Sequence, residues 1–200
     1  MKYVEVIIPS NRPQLAVQCQ NSLRPYKGII VDAKLQGKIS YSKIMNFIIT
    51  DYPHELILIC NDKGRPKPQD VDKVVELLDR GFGMAWLHPF GFGGFYKDVI
   101  RKIGFYDERF VDGNYEDCDM TRRLKEADIA LYESFDIEWV QIKSSWKASK
   151  SEKFFKQKWD GFNRKLPEAP LNYDIGSYQG RAFLPWKETV SSSIPKTLLE

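Results

Sequence analysis

The first half of the chain alternates short apolar runs with stretches of helical periodicity. The apolar runs have the length of buried strands and cover residues 3–9, 28–32, 55–60 and 82–87. Between them, residues 40–52 and 68–79 carry apolar side chains at helical spacing. Strands that alternate with helices predict βαβ units. We therefore expect an α/β domain with a mostly parallel central sheet and helices on both of its faces.

The second half of the sequence is less regular. A glycine-rich segment at residues 90–95 predicts a turn before a short helix, and an acidic helix start follows at residues 115–119. Two strand-like pieces and a basic, aromatic helix come next, at residues 129–132, 137–142 and 152–162. Residues 166–200 are rich in Pro, Gly and Ser and lack periodicity. We expect the domain to span residues 1–165, with residues 166–200 forming an arm or a linker to a further domain.

Composition and charge exclude several classes of protein. The formal net charge is only +3, and basic residues are scattered apart from a modest cluster at residues 143–165, so we predict no nucleic-acid partner. That cluster admits two interpretations, a site for phosphates or an acidic partner, and a solvated helix face. Cys19, Cys60 and Cys118 match no disulfide framework or zinc pattern, which indicates a reducing, cytoplasmic compartment. The sequence shows neither a signal-peptide pattern nor an apolar run of membrane-spanning length, so we predict no membrane insertion.

Polar side chains follow the apolar runs, where each predicted strand ends. They are Ser10, Asn11 and Arg12 after the first run, Asp32 at the end of the second, and Asn61 and Asp62 after the third. In parallel α/β sheets, ligands bind beyond the carboxyl ends of the strands, so we expect these side chains to line a binding site. The carboxylate of Asp62 is suited to hold Mg²⁺ or Mn²⁺ together with substrate phosphates. An Asx turn that only caps the loop is the structural alternative.

A second acidic group, at Glu116, Asp117 and Asp119, opens a predicted helix. The helix dipole favours carboxylates there, so a purely structural N-terminal role is one interpretation. The other is catalytic, because a carboxylate held ionised near Arg122 or Arg123 can take a proton from an attacking hydroxyl. Helical spacing places Glu116 and Asp119 on one face of the helix and Asp117 on a different face.

Other motifs carry less information. Residues 90–95 lack the full dinucleotide-binding fingerprint, and the sequence contains no Walker A segment or nucleophile elbow. The two histidines are not spaced as a metal pair, although His88 follows a strand end and is a candidate for the cleft. Three tryptophans are candidates for stacking on a sugar, with core packing as the alternative: Trp139, Trp146 and Trp159.

Taken together, these segments resemble the GT-A glycosyltransferases, in particular the inverting family 2. The most specific parts are residues 103–110 (Ile-Gly-Phe-Tyr-Asp-Glu-Arg-Phe) and 115–124. They are similar to the family's Gly-aromatic-Asp-Glu segment and to its Glu-Asp-x-Asp box with a downstream arginine. Asn46 and the pair Lys158–Trp159 match further family positions. The chain is also similar to the N-terminal domain of large multidomain glycosyltransferases of algal viruses, which implies a viral origin and further domains in the same polypeptide.

The resemblance implies a UDP-sugar donor, a glycan acceptor and a single displacement that inverts the anomeric carbon. It makes Asp117 the catalytic base and Glu116 a contact for the donor or acceptor sugar. It makes Asp62 the ligand of a Mn²⁺ or Mg²⁺ ion that bridges the diphosphate, and it pairs Asp119 with Arg122. The nucleotide-sugar would be bound by residues around the strand ends, with Asp32 on the uracil: Pro9, Ser10, Asn11, Arg12, Asp32, Asn61 and Lys143.

Two departures from the family pattern affect these expectations. The motif Cys60-Asn61-Asp62 contains one aspartate instead of two, and the family's histidine near residues 141–143 is absent. We therefore expect Lys143 or Arg65 to supply positive charge to the leaving diphosphate. Two other functions stay open. One is a sugar-phosphate nucleotidyltransferase, although no glycine-rich basic loop follows the first strand, and the other is an inactive nucleotide-sugar-binding module.

Overall fold

A computed structural model of the chain describes residues 4–32, 40–110, 114–142 and 150–159. The strands within these residues are β1 (Glu5–Ser10), β2 (Lys27–Asp32), β3 (Leu56–Cys60), β4 (Gly64–Arg65), β5 (Met84–His88), β6 (Phe92–Tyr96), β7 (Leu131–Glu133) and β8 (Glu138–Trp139). The helices are α1 (Pro13–Ser22), α2 (Tyr41–Asp51), α3 (Pro68–Asp79), α4 (Lys97–Ile103), α5 (Glu116–Glu126) and α6 (Lys150–Trp159). The predicted alternation of strands and helices is confirmed.

A six-stranded sheet forms the centre of the domain, in the order β2-β1-β3-β6-β5-β7. The pairs β1–β2, β1–β3 and β5–β7 are parallel, and β6 runs antiparallel to both of its neighbours. The mostly parallel sheet expected from the sequence is therefore confirmed. Strands β4 and β8 form a separate antiparallel pair beside the end of β3.

Hydrophobic cores lie on both faces of the sheet, because alternate residues of a strand point to opposite sides. On β1, Ile7 enters the core formed with α2, α4 and α5, whereas Val6 and Ile8 enter the core formed with α1 and α3. The same alternation separates Ile59 from Leu58 on β3. Burial of each such side chain contributes about 1.5–3 kcal/mol. Two cores around one sheet confirm the predicted three-layer arrangement.

Helices α2 and α3 begin at residues that favour helix starts. Ser40 precedes α2 and accepts a hydrogen bond from the backbone N–H of Lys43 over 3.4 Å. Helix α3 begins at Pro68, and the side chain of Asp70 accepts from the backbone N–H of Lys67 over 2.7 Å. Its bounds, Pro68–Asp79, agree with those predicted.

The glycine-rich segment is the clearest difference from the sequence prediction, because residues expected to form a turn form the inner strand β6. A Cβ atom on Gly93 would lie 2.1 Å from the carbonyl oxygen of Ala85, and one on Gly94 would lie 2.5 Å from that of Ile57. The glycines therefore permit close approach of the neighbouring backbones, a role that glycine also has within strands.

Several predictions fall outside the described residues. They concern Lys143, Trp146 and the tail at residues 166–200, so the boundary of the domain at residue 165 stays a prediction. Among the described residues, no helix is both long enough and apolar enough to cross a membrane.

Candidate active site

The carboxyl ends of five parallel strands meet at one edge of the sheet. Ser10, the last residue of β1, pairs with Asp32, the last residue of β2. Strand β3 ends beside them at Cys60, and β5 and β7 end on the same edge at His88 and Glu133. The polar residues that the sequence placed after the strands are thus brought together at this edge. The side chain of Asp32 itself lies outside the described part of the structure.

Asp62, the predicted metal ligand, is held by two residues from the end of β1. Its Oδ2 accepts a hydrogen bond from the Ser10 hydroxyl over 2.5 Å and one from Nε of Arg12 over 2.9 Å. Its Oδ1 accepts from Nη2 of Arg12, which completes a bidentate ion pair. The Asp62 side chain is only 2% exposed, whereas that of Arg12 is 39% exposed. Ser10 also accepts from the backbone N–H of Arg12 over 2.9 Å, so the three residues form one unit.

Asn61 shapes the loop that follows β3. Its side-chain oxygen accepts from the backbone N–H of Lys63 over 3.1 Å, and its backbone carbonyl accepts from that of Gly64 over 2.8 Å. This is the Asx turn that the sequence offered as the structural interpretation, here at Asn61. Of the other predicted donor contacts, Pro9 is half-buried in β1 and Asn11 is exposed directly after it.

Helix α5 begins with the acidic group, directly after two residues in the left-handed backbone region, Asn114 and Tyr115. Glu116 and Asp119 are buried, and Asp117 is half-buried, in agreement with the predicted helical faces. Oδ1 of Asp117 accepts from the backbone N–H of Cys118 over 2.8 Å.

The charge of Asp117 acts on residues at the end of β7 and at the start of α2. Burial raises the pKa of Glu133, at the end of β7, and the negative charge of Asp117 raises it further. The charges of Glu116 and Asp117 likewise add to burial in raising the pKa of Tyr41, at the start of α2.

Glu116 lies in a buried polar environment. Burial, assisted by the negative charge of Asp117, raises the pKa of Glu116 from 4.5 to about 7. Its Oε2 atom and the hydroxyls of Tyr41 and Tyr106 are buried and have no hydrogen-bond partner among the described residues. The two tyrosine rings meet edge to face, 6.1 Å between centroids. The sequence predicted a functional role for neither tyrosine, because an aromatic residue in an apolar context is expected to belong to the hydrophobic core.

Asp119 is fully buried and pairs with Arg123, not with Arg122 as predicted. Nε of Arg123 donates to Oδ2 of Asp119 over 3.1 Å, whereas Nε of Arg122 donates to Glu126 over 3.3 Å. Both arginines are at helical distance from Asp119, but Arg123 faces the core. The structural role expected for Asp119 is confirmed, and its predicted partner was wrong.

Lys158 joins the last turn of α6 to two buried carboxylates. Its Nζ lies 2.9 Å from Oδ2 of Asp107 and 2.5 Å from Oδ1 of Asp119, and Trp159 donates to the same Oδ1 over 2.8 Å. Burial alone raises the pKa of Asp107, but hydrogen bonds and charge from Arg109 and Lys158 outweigh it and lower the pKa to about 2. The sequence identified Lys158–Trp159 by resemblance only, and it gave no sign of the partner carboxylates.

The aromatic candidates behave as packing residues around the same edge. His88 stacks on Trp139 with ring centroids 3.7 Å apart, and burial lowers the pKa of His88. Nζ of Lys63 lies 5.1 Å from the centroid of the Trp139 ring. These contacts favour the core-packing interpretation of Trp139 that the sequence left open.

A resident divalent cation at Asp62 does not fit the described residues. Both carboxylate oxygens already have cationic or hydroxyl donors and the side chain is only 2% exposed, so an ion that binds both oxygens would have to displace the guanidinium of Arg12. Within the described ranges, no group of three or more His, Cys, Asp or Glu side chains could hold a metal. The predicted role of Asp62 as a ligand of Mn²⁺ or Mg²⁺ therefore has no support in the described contacts.

Comparison with known proteins gives the fold class. No protein-family model matches the chain, and no curated protein matches it. Among solved structures, the chain is similar to a mutant of Drosophila beta-1,4-galactosyltransferase 7 in complex with manganese, UDP-galactose and xylobiose. The TM-score is 0.53 at 8% sequence identity, and the match covers 76% of this chain and 79% of that one. The predicted GT-A α/β fold is confirmed, while membership of family 2 and a viral origin stay predictions.

Proposed function

We propose that this chain is a glycosyltransferase that moves a sugar from a UDP-sugar to a hydroxyl group of a glycan acceptor, with inversion. The observation that carries the proposal is the position of Asp117. It is a half-buried carboxylate in the first turn of α5, near the carboxyl edge of a GT-A sheet. Among the described residues, no ion pair joins it to a cation, whereas Asp119 on the same helix is fully engaged. Asp117 is therefore available to a ligand.

The proposed reaction is a single displacement. The acceptor hydroxyl oxygen attacks the anomeric carbon, the bond from that carbon to the donor phosphate oxygen breaks, and UDP leaves with the bonding electrons. Asp117 takes the proton of the attacking hydroxyl as general base. Glu116 is the proposed contact for a sugar hydroxyl, since its buried Oε2 has no partner among the described residues.

The donor pocket in this proposal is the edge formed by the ends of β1, β2 and β3. Its residues are those that the sequence assigned to the nucleotide-sugar: Pro9, Ser10, Asn11, Arg12, Asp32, Asn61 and Lys143. The similar galactosyltransferase is in complex with UDP-galactose and xylobiose, which supports a nucleotide-sugar donor and a glycan acceptor. Cytoplasmic location and further domains in the same polypeptide also belong to the proposal.

Ligand binding and turnover test this proposal in two stages. Thermal unfolding with UDP, GDP and dTDP identifies the donor class, because a ligand at a hundred times its Kd stabilises the folded state by about 2.7 kcal/mol. The matching nucleotide-sugars are then incubated with a glycan panel, and the released nucleoside diphosphate and the new glycoside are measured. We expect a shift with UDP and UDP release that depends on the acceptor. The absence of binding to any of the three nucleotides would contradict the proposal.

The alternatives give distinct results in the same experiments. A nucleotidyltransferase would release pyrophosphate from a nucleoside triphosphate and a sugar phosphate. An inactive binding module would bind a nucleotide-sugar and never release its nucleoside diphosphate.

A further inference from the structure

We propose that this chain binds the donor diphosphate without a divalent cation. In this arrangement Asp62 orients the guanidinium of Arg12, and the outward edge of that guanidinium takes the diphosphate. The inference rests on the proposed function, of which it names the diphosphate-binding group.

Asp62 has the partners of an orienting residue. Three hydrogen bonds from Ser10 and Arg12 occupy its two oxygens, and its side chain is 2% exposed. Three of the roughly four acceptor positions of this buried carboxylate are therefore occupied. A divalent cation bound to the same oxygens would break these bonds and bring a second positive charge beside Arg12.

Arg12 still has donors to offer. A guanidinium carries five N–H donors in a fixed plane, and Asp62 takes one from Nε and one from Nη2. Among the described residues, Nη1 has no acceptor, and 39% of the side chain is exposed. The carboxylate therefore fixes the plane of the group, and the N–H donors that it does not use are left for a ligand. A planar fork of this kind matches two phosphate oxygens.

The surroundings of Arg12 add further positive charge. Arg65 donates to the backbone oxygens of Asp62 and Gly64 over 2.8 and 2.7 Å and to the side chain of Gln18 over 2.7 Å, and all of these acceptors are neutral. Lys63, next to Asp62, lies against an aromatic ring and forms no ion pair within the described residues. Among the described residues, three cationic side chains thus lie on or beside the loop that carries Asp62. Such a cluster favours an anionic ligand in the way that a bound metal ion does elsewhere.

The test measures UDP affinity by isothermal titration calorimetry on the full chain, in EDTA and in Mn²⁺. We expect the two dissociation constants to agree within about threefold. Arg12→Ala should weaken UDP binding by about tenfold to a hundredfold under both conditions, the usual effect of losing a charged hydrogen bond. Arg12→Lys should recover little of the lost UDP affinity, because an ammonium group cannot reproduce the planar pair of N–H donors of a guanidinium.

Arg101→Ala is the matched control. Arg101 also forms a bidentate ion pair, with both oxygens of Glu55 at 2.8 Å, but at the opposite end of β3 and on the exposed surface. This variant should bind UDP as the wild type does. Circular dichroism on all variants confirms that they are folded.

Asp62→Asn separates orientation from metal binding. If Asp62 orients Arg12, the variant weakens UDP binding equally in EDTA and in Mn²⁺, and Arg12→Ala combined with Asp62→Asn is no weaker than Arg12→Ala alone. If Asp62 holds a metal, the wild type binds UDP at least tenfold more weakly in EDTA than in Mn²⁺. In that case Asp62→Asn removes only the Mn²⁺-dependent part of the UDP binding. That second result would overturn the inference and leave the glycosyltransferase proposal intact. A failure to bind any nucleotide under either condition would contradict both.

Discussion

The ammonium group of Lys158 lies 2.5 Å from the carboxylate of Asp119, two residues along α5 from the proposed base Asp117. The same ammonium lies 2.9 Å from Asp107, in the segment between α4 and α5. One side chain from α6 therefore connects α5, which carries the proposed base, with the segment that precedes it. The buried Asp119 therefore contacts cations from two helices, Arg123 of α5 itself and Lys158 of α6.

Lys158→Met should destabilise the domain strongly. The variant loses the charged contacts of Lys158 with Asp107 and Asp119, which keep Arg109 and Arg123 as partners, so we expect a loss of about 1.5–3 kcal/mol. Lys156→Met is the matched control on the same helix, since Lys156 pairs with Glu152 at 2.8 Å on an exposed surface. The loss of stability in Lys156→Met should stay within about 1 kcal/mol. Urea denaturation gives both values, and equal effects would show that the cluster does not anchor α6.

Glu116→Gln should change how stability depends on pH. The pKa of Glu116 rises on folding from 4.5 to about 7, so the folded state binds the proton more tightly. The free energy of unfolding therefore falls as pH rises between these two values. Replacing the carboxylate by an amide should make the decrease in the free energy of unfolding between pH 5 and pH 8 smaller by about 2–3 kcal/mol.

Glu126→Gln is the control for this experiment, because Glu126 lies on the same helix in an exposed pair with Arg122. Urea denaturation at pH 5 and pH 8 provides the comparison. If the Glu116 and Glu126 variants follow the same pH profile as the wild type, the raised pKa of Glu116 is contradicted.

Asn46→Ala should loosen the segment that precedes α5. The buried side chain of Asn46 donates to the Tyr106 carbonyl over 2.9 Å and accepts from the Tyr106 N–H over 2.9 Å. Its loss leaves two buried backbone groups without partners, which costs about 2–4 kcal/mol in total. Thr50→Ala, one turn later on α2, removes only a bond to a carbonyl of its own helix and should cost about 1 kcal/mol or less. Thermal unfolding distinguishes the two, and similar losses would contradict the role assigned to Asn46.

Much of the fold could be predicted because local rules and burial agree along the chain. Helix α3 has a proline start and an amphipathic pattern, and its bounds were predicted to the residue. Strand β6 was missed because Gly93 and Gly94 suggest a turn when read locally. What makes them strand residues is the backbone of the two neighbouring strands, which lies far away in sequence.

The site residues were predictable as chemical types, while their partners were not. Arg12 and Asp62 were both placed at strand ends, but their ion pair spans 50 residues and depends on the register of β1 and β3. The choice of Arg123 over Arg122 as partner of Asp119 is also tertiary, since helical spacing allows either. Sequence patterns fix which edge of a sheet carries the polar groups, and packing decides which of them meet.

The most direct test of the central claim compares Asp117→Asn with wild type, using the donor and acceptor found in the nucleotide and glycan panels. Loss of a general base should lower turnover by about a hundredfold or more while the Kd for UDP stays within about twofold of wild type. Glu126→Gln serves again as the control and should keep full turnover. Near-wild-type turnover in Asp117→Asn would contradict the assignment of this carboxylate as the base and, with it, the mechanism proposed for this chain.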